Sequence, residues 1–267
     1  MKAALLVSPH IRAIRKASMF DLAEEVVLVT GGAQGIGAAI VEAAVQAGAR
    51  VSFCDLDRER GEALASALDV HFVEADVTSE ESVKRWVEGA RDAFQTEATG
   101  LVNNAGKNSY ADAATMTVEQ WDEFFALDLR SAWLCARAVL PAMLDEGHGS
   151  IVSISSIHAR LTIPGMFPYA AAKAGLLGLT RSLALDTGAR GVRANSVSPG
   201  LVWTPLNERH FASRPDDLAT TLAAQPMGRA AEPAEIAAVV CFLLSRNASF
   251  VNGADWAVDG GYSARLA

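Results

Sequence analysis

The chain has 267 residues, 51% of them hydrophobic and 20% charged, enough for one well-packed domain with a large core. Its net charge of −8 offers no basic field to a phosphate backbone or an anionic bilayer, so neither nucleic acid nor membrane is an expected partner. The longest apolar stretch, Ile236 to Leu244, is half the ~18 residues that span a bilayer, and Cys54, Cys135 and Cys241 are scattered among apolar residues without metal-ligand spacing, which suits buried thiols in a reducing, cytoplasmic compartment.

Residues 1–18 carry Lys2, Arg12, Arg15 and Lys16 and no acidic residue, and read either as an extension ahead of a start at Met19 or as a weak organelle-targeting segment. Residues 19–267 read as the domain. Val26 to Val29 is a strand-like run, followed by Thr30-Gly31-Gly32-Ala33-Gln34-Gly35-Ile36-Gly37 and a helical pattern from Ala38 to Ala47 closed by Gly48. Glycines between a strand and a helix permit close backbone approach, and the helix start offers free amides and a positive dipole to a pyrophosphate. The next strand, Arg50 to Cys54, ends at Asp55, eighteen residues after Gly37. That is close to the ~20 expected for a carboxylate on the adenosine ribose hydroxyls, which selects against a 2′-phosphate. The alternative is that Asp55 merely caps the helix that begins near Asp57.

Val70 to Ala75 reads as a third strand leading to Asp76-Val77; His71 is a strand residue, and Thr78 or Ser79 caps a helix to about Phe94. Gly100 to Val102 is the fourth strand and runs into Asn103-Asn104-Ala105-Gly106. Met116 to Leu144 carries one long helical periodicity, with Trp121, Phe124, Phe125, Leu127, Trp133 and Leu134 at core-like spacing. Gly191 to Ser198 forms the sixth strand and breaks at Pro199-Gly200, with Thr204 just beyond. From Leu201 to Arg229 the prolines Pro205, Pro215 and Pro226 interrupt any periodicity, which suits a mobile lid over a substrate at about 201–229. Pro233 to Leu244 is a helix, and Trp256 to Val258 is a last strand before Asp259-Gly260-Gly261.

The chemistry gathers around the fifth strand, Ser150 to Ser155, which sets the Ser156 hydroxyl at a strand end. Thirteen residues on, Tyr169 opens a helical run to Asp186, and Lys173, four residues later, shares its face. At about 4 Å and an effective dielectric near ~20, an ammonium attracts a phenolate by about 4 kcal/mol. Such a field equips Tyr169 as a general base close to neutrality. Tyr-x-x-x-Lys by itself also describes a helical surface pair. The carboxyl end of a parallel sheet, however, is where ligands bind, and there Ser156, Tyr169 and Lys173 can converge.

Ser156 followed by Tyr169-Ala170-Ala171-Ala172-Lys173 resembles the active site of the short-chain dehydrogenase/reductase family, and the resemblance runs from about Met19 to the last residue. It implies a single α/β domain with a Rossmann-type, doubly wound, seven-stranded parallel sheet, NAD as cofactor, a small-molecule alcohol or carbonyl substrate and a homotetramer. Cofactor contacts are implied for Gly31, Gln34, Gly35, Ile36 and Gly37, for Asp55, Asp76 and Val77, and for Asn103, Ala105 and Gly106. Pro199, Gly200, Val202 and Thr204, and Tyr169 and Lys173 themselves, complete that set. Gln34 and Leu56 stand where NADP-preferring relatives commonly carry a cation, and Arg58 is the nearby basic candidate. In the implied mechanism Tyr169 exchanges the substrate proton, Ser156 hydrogen-bonds the substrate oxygen and Lys173 holds the ribose. Asp128 departs from the pattern by standing where the family usually has asparagine, which makes it a fourth catalytic candidate and motivates a rival reading as an NAD-binding protein of weak activity. Asn108, His158, Trp203 and Asn207, with Ser156 and Tyr169, are the substrate-binding candidates; Lys107, Arg160 and His210 lie near them. This hydrogen-bonding collection leans toward a sugar or polyol, ahead of other secondary alcohols, 3-oxoacyl groups or steroids.

Overall fold

A computed structural model describes residues 20–265, so the expectations for residues 1–18 and for a start at Met19 lie outside the described residues. Seven strands, β1 (Val26–Thr30), β2 (Arg50–Asp55), β3 (His71–Glu74), β4 (Gly100–Asn103), β5 (Gly149–Ile154), β6 (Val192–Pro199) and β7 (Asp255–Val258), form one sheet in the order β3-β2-β1-β4-β5-β6-β7. Every pairing is parallel. All residues of β1 and β5 are buried, because a parallel sheet covered on both faces asks for continuous apolar runs rather than alternation.

The helices α1 (Gly35–Gln46), α2 (Arg58–Leu68), α3 (Glu80–Phe94), α4 (Val118–Phe125), α5 (Ser131–Glu146), α6 (Tyr169–Thr187), α7 (Pro205–Phe211), α8 (Pro215–Ala224) and α9 (Pro233–Leu244) supply that cover. Successive residues of β1 divide between two cores. Val27 and Val29 pack with Ile40, Val240 and Leu243 of α1 and α9, while Val26 and Leu28 pack with Trp86, Val139 and Met143 of α3 and α5. Each fully buried aliphatic side chain contributes about 1.5–3 kcal/mol, so the doubly covered centre fixes the register on which the site depends. The strand order reverses beside β1, with β2 on one side and β4 on the other, which opens a crevice at the carboxyl ends.

Two local expectations change, and two open alternatives close. Met116 to Leu144 is not one regular helix: α4 starts behind a capping box of Thr117 and Gln120 and joins α5 through a π-helical turn, Ala126–Arg130. Such turns admit an extra residue into the helical ladder, and this one carries the buried Asp128. The stretch 201–229 is not irregular either, since Pro205 and Pro215 occupy the first positions of α7 and α8, where a fixed φ and a missing N–H are tolerated. Ser79, not Thr78, caps α3. Asp57 rather than Asp55 caps α2, accepting from the Arg60 N–H at 3.1 Å.

Candidate active site

The turn between β1 and α1, the ends of β2 and β4, and the ends of β5 and β6 enclose a cavity of about 400 Å³. Gly31, Gln34, Gly35 and Ile36 line it from the first turn, and Asp55, Leu56, Asp76 and Val77 from the strands beyond. Ala105 and Gly106 line it after β4, and Pro199, Gly200, Val202 and Thr204 after β6. Ser156, Tyr169 and Lys173 stand in the same wall. No side chain caps the start of α1, so its first-turn amides remain for an anionic group. Asp55 accepts from the Ala33 N–H at 3.0 Å and the Asp57 N–H at 3.0 Å, which pins its carboxylate at the mouth of the glycine turn. A dinucleotide fits this donor set: amides for the pyrophosphate, a carboxylate for a ribose diol.

Two of the predicted cofactor residues act behind that wall. A Cβ on Gly37 would collide with the Gly31 carbonyl oxygen, so Gly37 lets the helix close on the turn and does not itself line the cavity. Asn103 is buried, donates to the Ala132 carbonyl at 3.3 Å and also stays out of the cavity. Its neighbour Asn104, which sequence reasoning passed over, lines the cavity and donates to the carbonyls of Thr30 at 3.0 Å and Gly31 at 2.9 Å. The signal lay in the doublet itself: β4 ends on the first asparagine, leaving the second to cross to the neighbouring turn.

Lys173 is 5% exposed, and its ammonium donates to the Ile154 carbonyl at 3.3 Å. Its Nζ lies 5.6 Å from the Tyr169 ring centroid, as one helical turn requires. Ser155 donates to the Lys173 carbonyl at 3.0 Å and so ties the strand end to α6. Ser156 Oγ accepts the His158 N–H at 3.2 Å, leaving its own proton free to donate. The ring of His158 meets that of Tyr169 edge-on at 5.9 Å, and burial lowers the imidazole pKa, so it adds no second cation near neutrality.

Asp128 is 2% exposed and lies 3.5 Å from Lys173 Nζ, with both carboxylate oxygens accepting the Lys107 N–H at 3.2 Å. Burial raises the Asp128 pKa more than Lys173 and the Lys107 N–H lower it. Gly106 lies against this pair: a Cβ there would come within 2.8 Å of Asp128 Oδ1 and 3.2 Å of Lys173 Nζ. A larger residue at 106 would therefore drive the pair apart.

A second cavity, of about 560 Å³, adjoins the first and shares Asn108, Ser156, Tyr169 and Asn207 with it. His158 and His210 also line it, whereas Lys107 faces the cofactor cavity. Trp203 lines neither, being held in the backbone pairing of Trp203 N to the Ala231 carbonyl at 2.8 Å. Arg160 turns away to Asp255, 3.2 Å from its carboxylate.

A doubly wound sheet with a dinucleotide-sized cavity at its reversal, and a serine, tyrosine and lysine where that cavity meets a second one, defines a nucleotide-dependent oxidoreductase. The comparisons agree. The family described as enoyl-(acyl carrier protein) reductase matches residues 31–263. The 2-(S)-hydroxypropyl-CoM dehydrogenase 3 of Xanthobacter autotrophicus is 38% identical, covering 91% of this chain and 98% of that one. The D-threitol dehydrogenase of Mycolicibacterium smegmatis is 39% identical, with 91% and 95% covered. The crystal structure of gox2181 superposes with a TM-score of 0.86 at 36% identity, over 92% of this chain and 98% of that one. The chain belongs to the short-chain dehydrogenase/reductase family and is an oxidoreductase acting on CH–OH groups with a nicotinamide cofactor.

Proposed function

We propose that the protein oxidises a secondary alcohol, reversibly and with NAD, and that the alcohol is a sugar or polyol. The observation that carries this reading is that Ser156 and Tyr169 line both cavities, so a carbinol in the larger one meets a phenol and a hydroxyl beside the space for a nicotinamide. When bound, that group exchanges a hydride with the carbinol carbon. Tyr169 takes the hydroxyl proton in oxidation and returns it in reduction, while Ser156 donates a hydrogen bond to the same oxygen. Lys173 favours the phenolate electrostatically and holds a ribose hydroxyl.

Asp55 supports NAD over NADP, because a 2′-phosphate against a carboxylate sets like charges together. The nearby cations are already engaged, Arg58 with Glu62 at 2.7 Å and Arg60 with Asp57 at 2.8 Å. Asn108, Asn207 and His210 in the larger cavity, together with the relative that acts on D-threitol, support a polyhydroxylated substrate. The mostly exposed α7 and α8 serve as its lid over about 201–229. Assembly as a homotetramer is supported by exposed Trp133, Phe250 and Trp256, and a cytoplasmic location by three free, buried cysteines. No helix among the described residues is long and apolar enough to cross a membrane.

The test is a panel of polyols, sugars and simple secondary alcohols assayed with NAD and with NADP. Formation of reduced cofactor with a polyol is expected, and Tyr169→Phe should lower kcat by roughly 10²–10⁴-fold. Because the substitution removes one hydroxyl, NAD affinity should hold. Substantial turnover by Tyr169→Phe would remove the phenol from the mechanism.

A further inference from the structure

One wall of the larger cavity is the chain between Ser156 and α6. Ile157, His158, Leu161, Thr162, Ile163 and Pro164 line the cavity from it, yet the hydrogen bonds of residues 157–165 close on the segment itself. The Arg160 and Leu161 N–H groups both donate to the Ile157 carbonyl, at 3.0 and 2.9 Å, and His158 Nδ1 lies 3.1 Å from Thr162 Oγ1. Leu161 and Ile163 are 46% and 54% exposed, so apolar burial holds this stretch only lightly.

Arg160 is the exception. Among the described residues, its contact with the Asp255 carboxylate, at 3.2 Å, is the only hydrogen bond or ion pair that carries 157–165 beyond 156–165. Asp255 stands on the edge strand β7 with a side chain only 7% exposed. Its Oδ1 accepts from the hydroxyls of Ser196 and Ser198, each at 2.8 Å, and its Oδ2 from Ser198 at 3.0 Å. Two neutral hydroxyls do not balance a nearly buried carboxylate, and the guanidinium supplies the countercharge. The strand that carries both serines, β6, ends at Pro199, and Pro199 and Gly200 line the cofactor cavity. One carboxylate therefore joins the substrate wall to the strand end that serves the cofactor.

We infer that Arg160 is a positioning residue whose ion pair with Asp255 holds residues 157–165 in the arrangement that receives the substrate. This rests on the dehydrogenase reading above and deepens it, because Arg160 acts through the wall and not on the reacting atoms. Without the tether the competent arrangement is populated less, and apparent substrate affinity falls by the same fraction. The cofactor side should be spared, since Pro199 and Gly200 remain fixed by the pairing of β6 with β5 and β7.

The experiment compares the native protein with Arg160→Gln, Arg160→Lys, Asp255→Asn and the double variant Arg160→Gln/Asp255→Asn. Two quantities are read: steady-state kinetics on the best alcohol of the panel, and amide hydrogen exchange across 157–165. Arg160→Gln should raise KM roughly 3–10-fold, with kcat and the Kd for NAD within about twofold of native. Exchange should quicken in 157–165 and not in β5 or α6. Arg160→Lys keeps the charge without the planar fork and should fall between the two. The double variant should be no worse than the worse single one, since both substitutions remove the same contact. The Arg160 side chain is 59% exposed, so its variants are expected to fold and carry the test even where Asp255→Asn does not. Faster exchange with a native KM, additive losses in the double variant, or Arg160→Gln unchanged in both measurements overturns the positioning role. A native protein that binds NAD but oxidises no alcohol overturns the dehydrogenase reading instead, and the exchange rates still decide whether the tether exists.

Discussion

Asp128 is the residue whose charge matters most to the proposed chemistry. Its carboxylate, 3.5 Å from Lys173 Nζ, opposes the cation that favours the Tyr169 phenolate. Burial raises its pKa, so on acidification it takes up a proton earlier than an exposed aspartate; above that range it is ionised and partly cancels Lys173. Asparagine keeps the shape without the charge. In Asp128→Asn the base should therefore form at lower pH, and the acidic limb of kcat/KM for alcohol oxidation should move downward. Profiles measured on both proteins decide the matter, and superimposable acidic limbs would mean that Asp128 does not tune the base. Sequence alone exposed Asp128 as a departure and pointed to Lys173 as the group it acts on, but not to its contact with the Lys107 N–H, because that depends on a π-helical turn that no periodicity announces.

Among the elements, those with strong local signals were legible and those governed by tertiary contact were not. α9 begins at Pro233 and ends at Leu244 as its pattern predicts, since proline suits a first helical position and the apolar run Ile236 to Leu244 supplies its buried face. The stretch 201–229 reads as irregular because proline breaks a helix from within, yet the same residue also starts helices, as Pro205 and Pro215 do here. His71, read only as a strand residue, is within 2.9 Å of Ser52 Oγ, which also accepts from Trp86 Nε1, a three-way contact across β2, β3 and α3 that no local window contains. Likewise His148, between α5 and β5, meets both carboxylate oxygens of Glu25 at 3.1 and 3.0 Å, just ahead of β1. The Glu25 hydrogen bond raises the His148 pKa; burial opposes the ionised Glu25, but His148 and Thr99 outweigh it and lower its pKa. The His148 share of stability is thus present below its unfolded pKa and lost as pH rises through the raised one. The Glu25 share is present above the unfolded carboxylate range and lost as pH falls. Together they favour the native state most between about pH 4.3 and 6.5. Replacing His148 with glutamine should lower Tm most within that interval and flatten its decline on either side, and an unchanged profile would remove the pair from the account of stability.

At the scale of the molecule, the cofactor cavity is built by residues on or following β1, β2, β3, β4, β5 and β6, so whatever fills it braces nearly the whole sheet at one edge. A ligand that binds only the folded state adds RT ln(1 + [L]/Kd), which is about 2.7 kcal/mol at a hundredfold excess over Kd. For a domain of this size each kcal/mol moves Tm by roughly 2–4 °C. Saturating NAD should therefore raise Tm by roughly 5–10 °C, a shift that needs no knowledge of the substrate. NADP at the same concentration should give a clearly smaller rise, because its added phosphate faces Asp55, and Arg58 and Arg60 already pair with Glu62 and Asp57. Asp55→Ala or Asp55→Asn should narrow the gap from the NAD side by removing the ribose partner and from the NADP side by removing the like charge. Equal shifts with the two cofactors in the native protein would mean that one of those arginines exchanges its partner for the phosphate, and the proposed preference for NAD would fall.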